Sequence, residues 1–191
     1  VAVYEKEAKL AGIAIPSAYS EALHRVGKIL AFALFTTVGA QLAVPLPFTP
    51  VPITMQTLFV VLAGVTLGPR DGFYAMLSYL ALGFSGAPVF SGFSFGPGVL
   101  LGPTGGYLVA FPAAALLSGY VVGRLGIGRV RVFIASACGM ALILFAGAAY
   151  LKLISGASLD RIAAMAVLPF VAGEVVKALV AAGIAGKSER A

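Results

Sequence analysis

Leu142-Ile-Leu-Phe-Ala-Gly-Ala-Ala-Tyr-Leu151 carries no charge and no alternation of polar with apolar side chains. Val109–Leu117 reads the same way. A segment that is apolar on every face belongs in lipid, where backbone N–H and C=O groups must be satisfied internally, by helices or by a closed barrel. Barrel strands alternate lipid-facing and lumen-facing residues over about ten positions. These runs do not, so the fold class expected is all-α, a polytopic membrane protein.

Composition supports this reading. Hydrophobic residues make up 60% of the 191-residue chain and charged residues only 10%, against about a quarter charged in soluble domains. A water-soluble fold would lack the polar surface to cover its core. The net charge of +6 is not read as a nucleic-acid footprint, because the basic residues sit in short clusters between apolar runs, where membrane topology accounts for them. Cys138 is the single cysteine, so no intrachain disulfide can form. Val1–Ser20 mixes charges and is not expected to be a cleaved signal peptide.

Outward from Leu142–Leu151, the pattern predicts six crossings. Residues 1–28 form a polar lead-in, with Ser20–Lys28 able to run as an amphipathic helix into a first span over Ile29–Val44. Four prolines between Pro45 and Pro52 forbid a helix there, and this uncharged linker is expected to pack on the protein. Further spans are expected at Ile53–Leu67, Phe73–Gly83, Thr104–Val122 and Val132–Leu153. A last stretch, Ile162–Ile184, should break at Leu168–Gly173 and resume as a final helix from Gly173. Residues 29–186 thus form one membrane domain and 187–191 a short cytoplasmic tail. With both termini on one side, that side collects Lys6, Lys9, Arg25, Lys28, Arg70, Arg124, Arg129, Arg131, Lys187 and Arg190, while the other holds Lys152 and Arg161. The excess of Lys and Arg marks the cytoplasm.

Two ionisable residues have no topological explanation. Glu174 and Lys177 lie inside the final apolar stretch, where a charge costs at least about 2.5 kcal/mol and marks a functional site by default. Their i, i+3 spacing places them on one helical face. Pro169 and Gly173 suggest a helix start that would favour the carboxylate in its first turn. A plain ion pair that neutralises itself is the competing reading. The uncharged loop Pro88–Pro97 offers Phe90, Phe93 and Phe95 to wrap an apolar ligand and Ser91, Gly92 and Ser94 to supply polar contacts. Tyr107 and Gln56 begin two spans and join the candidate set, although interface anchoring or bonding to neighbouring backbone would explain each. His24 has no companion ligands for a metal. No nucleophile–base set and no phosphate loop is present, so neither an enzyme nor a cofactor is expected.

Three blocks carry a resemblance: Pro45-Leu-Pro-Phe-Thr-Pro-Val-Pro-Ile-Thr-Met-Gln-Thr-Leu58; Pro88-Val-Phe-Ser-Gly-Phe93 with Leu101-Gly-Pro-Thr-Gly-Gly-Tyr-Leu108; and Leu168-Pro-Phe-Val-Ala-Gly-Glu-Val-Val-Lys177. Together they resemble BioY, the biotin-specific substrate-binding (S) component of energy-coupling-factor (ECF) transporters, from about Phe32 to Ala182. The resemblance implies six helices in a bacterial cell membrane and biotin captured near the outer face. It also implies partnership with a transmembrane coupling protein and two ATPase subunits. The family usually has aspartate where this chain has Glu174, commonly after Pro-Gly rather than Ala172-Gly173, so the carboxylate here reaches one methylene farther.

The chemistry is compatible. Biotin presents a ureido group with two N–H donors, an apolar ring and chain, and a carboxylate. Glu174 is expected to accept from a ureido N–H, and Lys177 to meet either the ureido oxygen or the carboxylate. On the first span, Ala33, Thr37 and Ala40 form a small-residue stripe that suits close approach of another helix, either a docking partner or a neighbour within the protein. An ion-coupled secondary transporter using Glu174 and Lys177 as a relay is the alternative function.

Overall fold

A computed structural model describes residues 17–186, almost all of it helical. The first helix, α1 (Ser17–Gln41), joins the amphipathic lead-in to the first apolar run without interruption. Beyond it the prolines act as expected: residues 45–52 form a loop, pinched at its base by a two-residue antiparallel ladder of β1 (Ala43–Val44) and β2 (Ile53–Thr54). The second run is therefore helical only from Gln56. Helix α2 (Gln56–Leu67) leads directly into α3 (Pro69–Phe84), with Pro69 in the first turn, where no N–H is needed. Two short helices follow, α4 (Pro97–Leu101) and α5 (Gly105–Val109), then α6 (Phe111–Leu125) and the long α7 (Arg129–Ser155). Helix α8 (Leu159–Ile162), a π-type turn over Ala163–Val167 and α9 (Leu168–Ala185) complete the chain.

The expected break at Leu168–Gly173 is absent. Pro169 falls in the first turn of α9, and the π turn before it absorbs the change of register. Residues 159–185 consequently run as one continuous apolar helix. Only this helix and α7, among the described residues, are each long and apolar enough to cross a membrane unaided. At 27 residues each, they reach about 40 Å. Glu174 accordingly lies beyond the first turn of α9, where backbone N–H groups are already paired, so no free helix end holds its carboxylate.

Helices α2, α3, α6 and α7 form the centre, with α1 and α9 packed on either side. Their contacts run through small residues, as expected where lipid removes the usual apolar driving force and close approach must supply the attraction. A Cβ on Gly64 would collide with the Ala115 carbonyl of α6, and one on Gly119 would lie 2.7 Å from the Gly64 carbonyl. Gly64→Ala should force α2 away from α6 at a cost of about 1–3 kcal/mol, seen as a lower melting temperature of the detergent-purified protein. An unchanged melting temperature would mean that the helices separate without penalty. Outside this centre, Leu34, Phe145, Leu153, Leu168 and Leu179 are each more than half exposed, an apolar exterior suited to lipid.

The expected docking stripe requires correction. Ala33 and Ala40 are fully buried and Thr37 is half-buried with its hydroxyl on the Ala33 carbonyl. These small side chains face α2 and α3, because close packing of α1 within the protein uses them. Leu30, Leu34 and Val38 form the outer face instead. At the basic end, Arg25 of α1 forks onto the Asp71 carboxylate of α3 at 2.9 and 2.5 Å. The tail 187–191 and residues 1–16 lie outside the described residues.

Candidate functional site

A cavity of about 380 Å³ opens at the end of the bundle opposite the Arg25–Asp71 pair, within the roughly 300–1,000 Å³ usual for small-molecule sites. Its walls come from the segments where helices start, stop or turn, and from the helical residues beside them. Pro50, Pro52, Thr54, Gln56 and Thr57 contribute one side, held by the β1–β2 ladder and by the Met55 N–H, which donates to the carbonyls of Gly39 and Leu42. The turn around Phe90, Ser91 and Ser94 forms a second. Gly98, Gly102 and Thr104 contribute a third, where glycine leaves backbone uncovered. Phe111, Phe170 and Tyr107 close the interior, and Glu174 reaches in from α9.

Phe90 anchors its turn by filling the space over Gly83, with its ring edge-on to Tyr79 at 5.5 Å. Tyr79 donates to the Val89 carbonyl at 3.1 Å and accepts from the Gln56 amide at 2.6 Å. The Gln56 oxygen accepts from Thr54 at 3.0 Å, which leaves one amide N–H for a ligand. Tyr107 is a wall rather than an interface anchor. Its ring lies over Gly147, and its hydroxyl donates 2.8 Å to the Ala166 carbonyl within the π turn.

The charged pair is asymmetric. Lys177 donates to Glu174 Oε1 at 2.5 Å, to Thr57 Oγ1 at 2.6 Å and to the Thr54 carbonyl at 3.0 Å. Those three acceptors use all its protons, and Lys177 does not line the cavity. Thr57 in turn donates to Glu174 Oε1 at 3.1 Å. The second carboxylate oxygen, Oε2, is buried without a hydrogen-bond partner. An unsatisfied buried acceptor is uncommon and costs free energy. Glu174 lines the cavity, which makes its carboxylate a candidate acceptor for a donor bound there.

The cavity thus brings together Glu174, Tyr107, Phe90, Ser94 and Gln56 of the sequence-predicted set. Gly92 and Phe93 stand apart: both have left-handed backbone at the tip of the turn (φ +67° and +56°), and the Phe93 side chain points outward, 67% exposed. Thr57 escapes sequence reasoning, because a single threonine in an apolar helix reads as a residue bonded to its own backbone. Phe111 and Phe170 look like ordinary core residues until the helices are assembled.

Residues 11–191 match the model of the BioY family. Among similar proteins, the probable biotin transporter BioY of Pyrococcus horikoshii is 42% identical over 160 residues, covering 84% of this chain and 93% of its own length. The biotin transporter BioY of Thermotoga maritima is 35% identical over 156 residues, 81% and 89% of the two chains. The crystal structure of the S-component for biotin from an ECF-type ABC transporter superposes with a TM-score of 0.81 at 27% identity. That likeness covers 90% of this chain and 92% of the other.

Proposed function

The chain belongs to the BioY family, and we propose on that premise that its cavity captures biotin for import by an ECF-type transporter. It is a membrane transport component and not an enzyme. Its partners are a coupling protein and the ATPases that drive uptake. The observation that carries the ligand assignment is that Glu174, a residue lining the cavity, keeps one carboxylate oxygen, Oε2, without a hydrogen-bond partner. A ureido N–H of biotin supplies the missing donor. The free Gln56 N–H reaches the ureido oxygen, and the rings of Phe90, Phe111 and Phe170 enclose the apolar body. Lys177 acts through Glu174, holding and neutralising the carboxylate, and contacts neither end of the ligand.

Topology completes the reading. The protein lies in the plasma membrane as a single multi-pass domain over about residues 29–186, with six crossings and both termini cytoplasmic. Support comes from Arg25, Arg70, Arg124, Arg129 and Arg131 on one side against Lys152 and Arg161 on the other. The cavity then faces outward.

Calorimetry on the purified chain tests the ligand, since without tryptophan the protein has no indole fluorescence to report binding. One-to-one binding of biotin is expected, together with loss of binding when the ureido nitrogens are methylated. No heat with biotin, or equal binding of the methylated analogue, would overturn the assignment. Because no cation among the described residues lines the cavity, converting the biotin carboxylate to an amide should change Kd by less than about tenfold. A larger loss would place a cationic partner, with Lys177 the first candidate, at the carboxylate.

A further inference from the structure

Gln41, the last residue of α1, lies outside the cavity lining, yet its side chain joins α1 to the cavity wall. Its amide nitrogen donates to the Phe90 carbonyl at 3.1 Å and to the Thr37 carbonyl at 3.4 Å. Its oxygen accepts from the Phe93 N–H at 3.1 Å. Both donors and the acceptor are used, and two of these three bonds cross to a segment about fifty residues away in sequence. An apolar residue of similar length would fill the same half-buried space. The amide is informative because of the backbone it grips.

That backbone is under strain. Phe93, at φ +56°, is the non-glycine residue with left-handed geometry among the described residues, a conformation that a bulky side chain adopts at a cost of about 1–3 kcal/mol. The turn is short: the Phe90 N–H donates to the Ser94 carbonyl at 3.1 Å, and Ser94 Oγ to the Ser91 carbonyl at 2.7 Å. Ser91 and Ser94 line the cavity while Phe93 points away. The base of the turn is held by α3, through Phe90 against Gly83 and the Gly96 N–H on the Gly83 carbonyl. Among the described residues, Gln41 supplies the hydrogen bonds that tie its tip to α1.

We propose that Gln41 is a positioning residue for biotin: its two-point grip keeps the strained Phe90–Ser94 turn closed as a cavity wall and so sets how long the ligand stays bound. This rests on the biotin-binding reading. It also makes the end of α1 and the wall of the site one mechanical unit, so that displacing α1 opens the turn.

The test preloads the purified full-length chain with radiolabelled biotin and chases with unlabelled biotin. Gln41→Met keeps the side-chain length and removes both grips. Dissociation should accelerate roughly tenfold for two lost hydrogen bonds, with the association rate nearly unchanged. Adding Phe93→Gly, which accepts the left-handed backbone without strain, should bring dissociation back to within about threefold of the unmodified chain. A general packing defect at residue 41 would not be repaired by that second change. Unaltered dissociation in Gln41→Met, or failure of the double variant to recover, overturns the grip while leaving biotin binding standing. Absence of binding by the unmodified chain overturns both. Where Gln41→Met does not fold, hydrogen exchange of the unmodified chain decides: the Phe93 amide should be protected at least about tenfold, and free exchange there sinks the proposal.

Discussion

Biotin binding should weaken by two orders of magnitude or more when Glu174 is replaced by alanine. Two losses follow. The ureido N–H loses the Glu174 carboxylate, whose Oε2 has no hydrogen-bond partner within the protein. In addition, Lys177 keeps its charge in a buried site, with only Thr57 Oγ1 and the Thr54 carbonyl as neutral acceptors. Losing a hydrogen bond to a charged acceptor costs about 1.5–3 kcal/mol, and 3 kcal/mol corresponds to more than a hundredfold in Kd, while the stranded Lys177 charge lowers the stability of the fold by about 3–5 kcal/mol. Glu174→Gln separates the contributions. It preserves shape and one acceptor oxygen, but a neutral amide neither balances Lys177 nor binds an N–H as strongly as a carboxylate does. It should fall between the unmodified chain and alanine. Isothermal calorimetry reads all three proteins, and near-normal affinity in Glu174→Ala would remove the central contact of the proposed site.

The second large effect is expected at Lys177, with a different signature. Lys177→Met leaves the buried Glu174 carboxylate without its countercharge, with the Thr57 hydroxyl as its remaining donor among the described residues, and biotin affinity should fall by about a hundredfold as the carboxylate is no longer held in place. Stability should fall as well, because Thr57 and the Thr54 carbonyl lose their donor. Combining it with Glu174→Gln removes both charges. Neutral replacement of a buried pair is often close to harmless for folding, so the double variant should regain most of the lost melting temperature while still binding biotin poorly. A double-mutant cycle measured in both stability and affinity exposes this divergence. Should affinity recover along with stability, the pair would be structural glue and biotin would be held elsewhere. Should Lys177→Met bind biotin normally, the ammonium would have no part in presenting the carboxylate.

Much of this molecule is legible in the residues alone, because the membrane leaves the chain few options. An apolar run without alternation has to be helical; prolines at 45–52 have to end a helix; a carboxylate and an ammonium within an apolar stretch have to be explained by something inside the protein. The helical class, the non-helical wall before Gln56 and the pairing of Glu174 with Lys177 inside the protein all follow from such local necessities. Helix boundaries near Pro169 do not. A proline permits a break, a kink or a fresh first turn, and here the π turn over Ala163–Val167 lets the helix continue.

What depends on which surfaces meet was out of reach of pattern. Ala33, Thr37 and Ala40 have the spacing of a docking face, but small residues serve equally well for internal contact, and only assembly of α1 against α2 and α3 turns them inward. The i, i+3 spacing placed Glu174 and Lys177 together without saying which would face the cavity. Thr57 and the Thr54 carbonyl decide that, because they occupy the lysine's protons and leave one carboxylate oxygen unmatched. Thr57 is more than a hundred residues from Glu174, and Gln41 is about fifty from Phe93. Sequence periodicity reports which face of a helix is apolar; partners at such separations are set by helix crossings, which only the packed structure supplies.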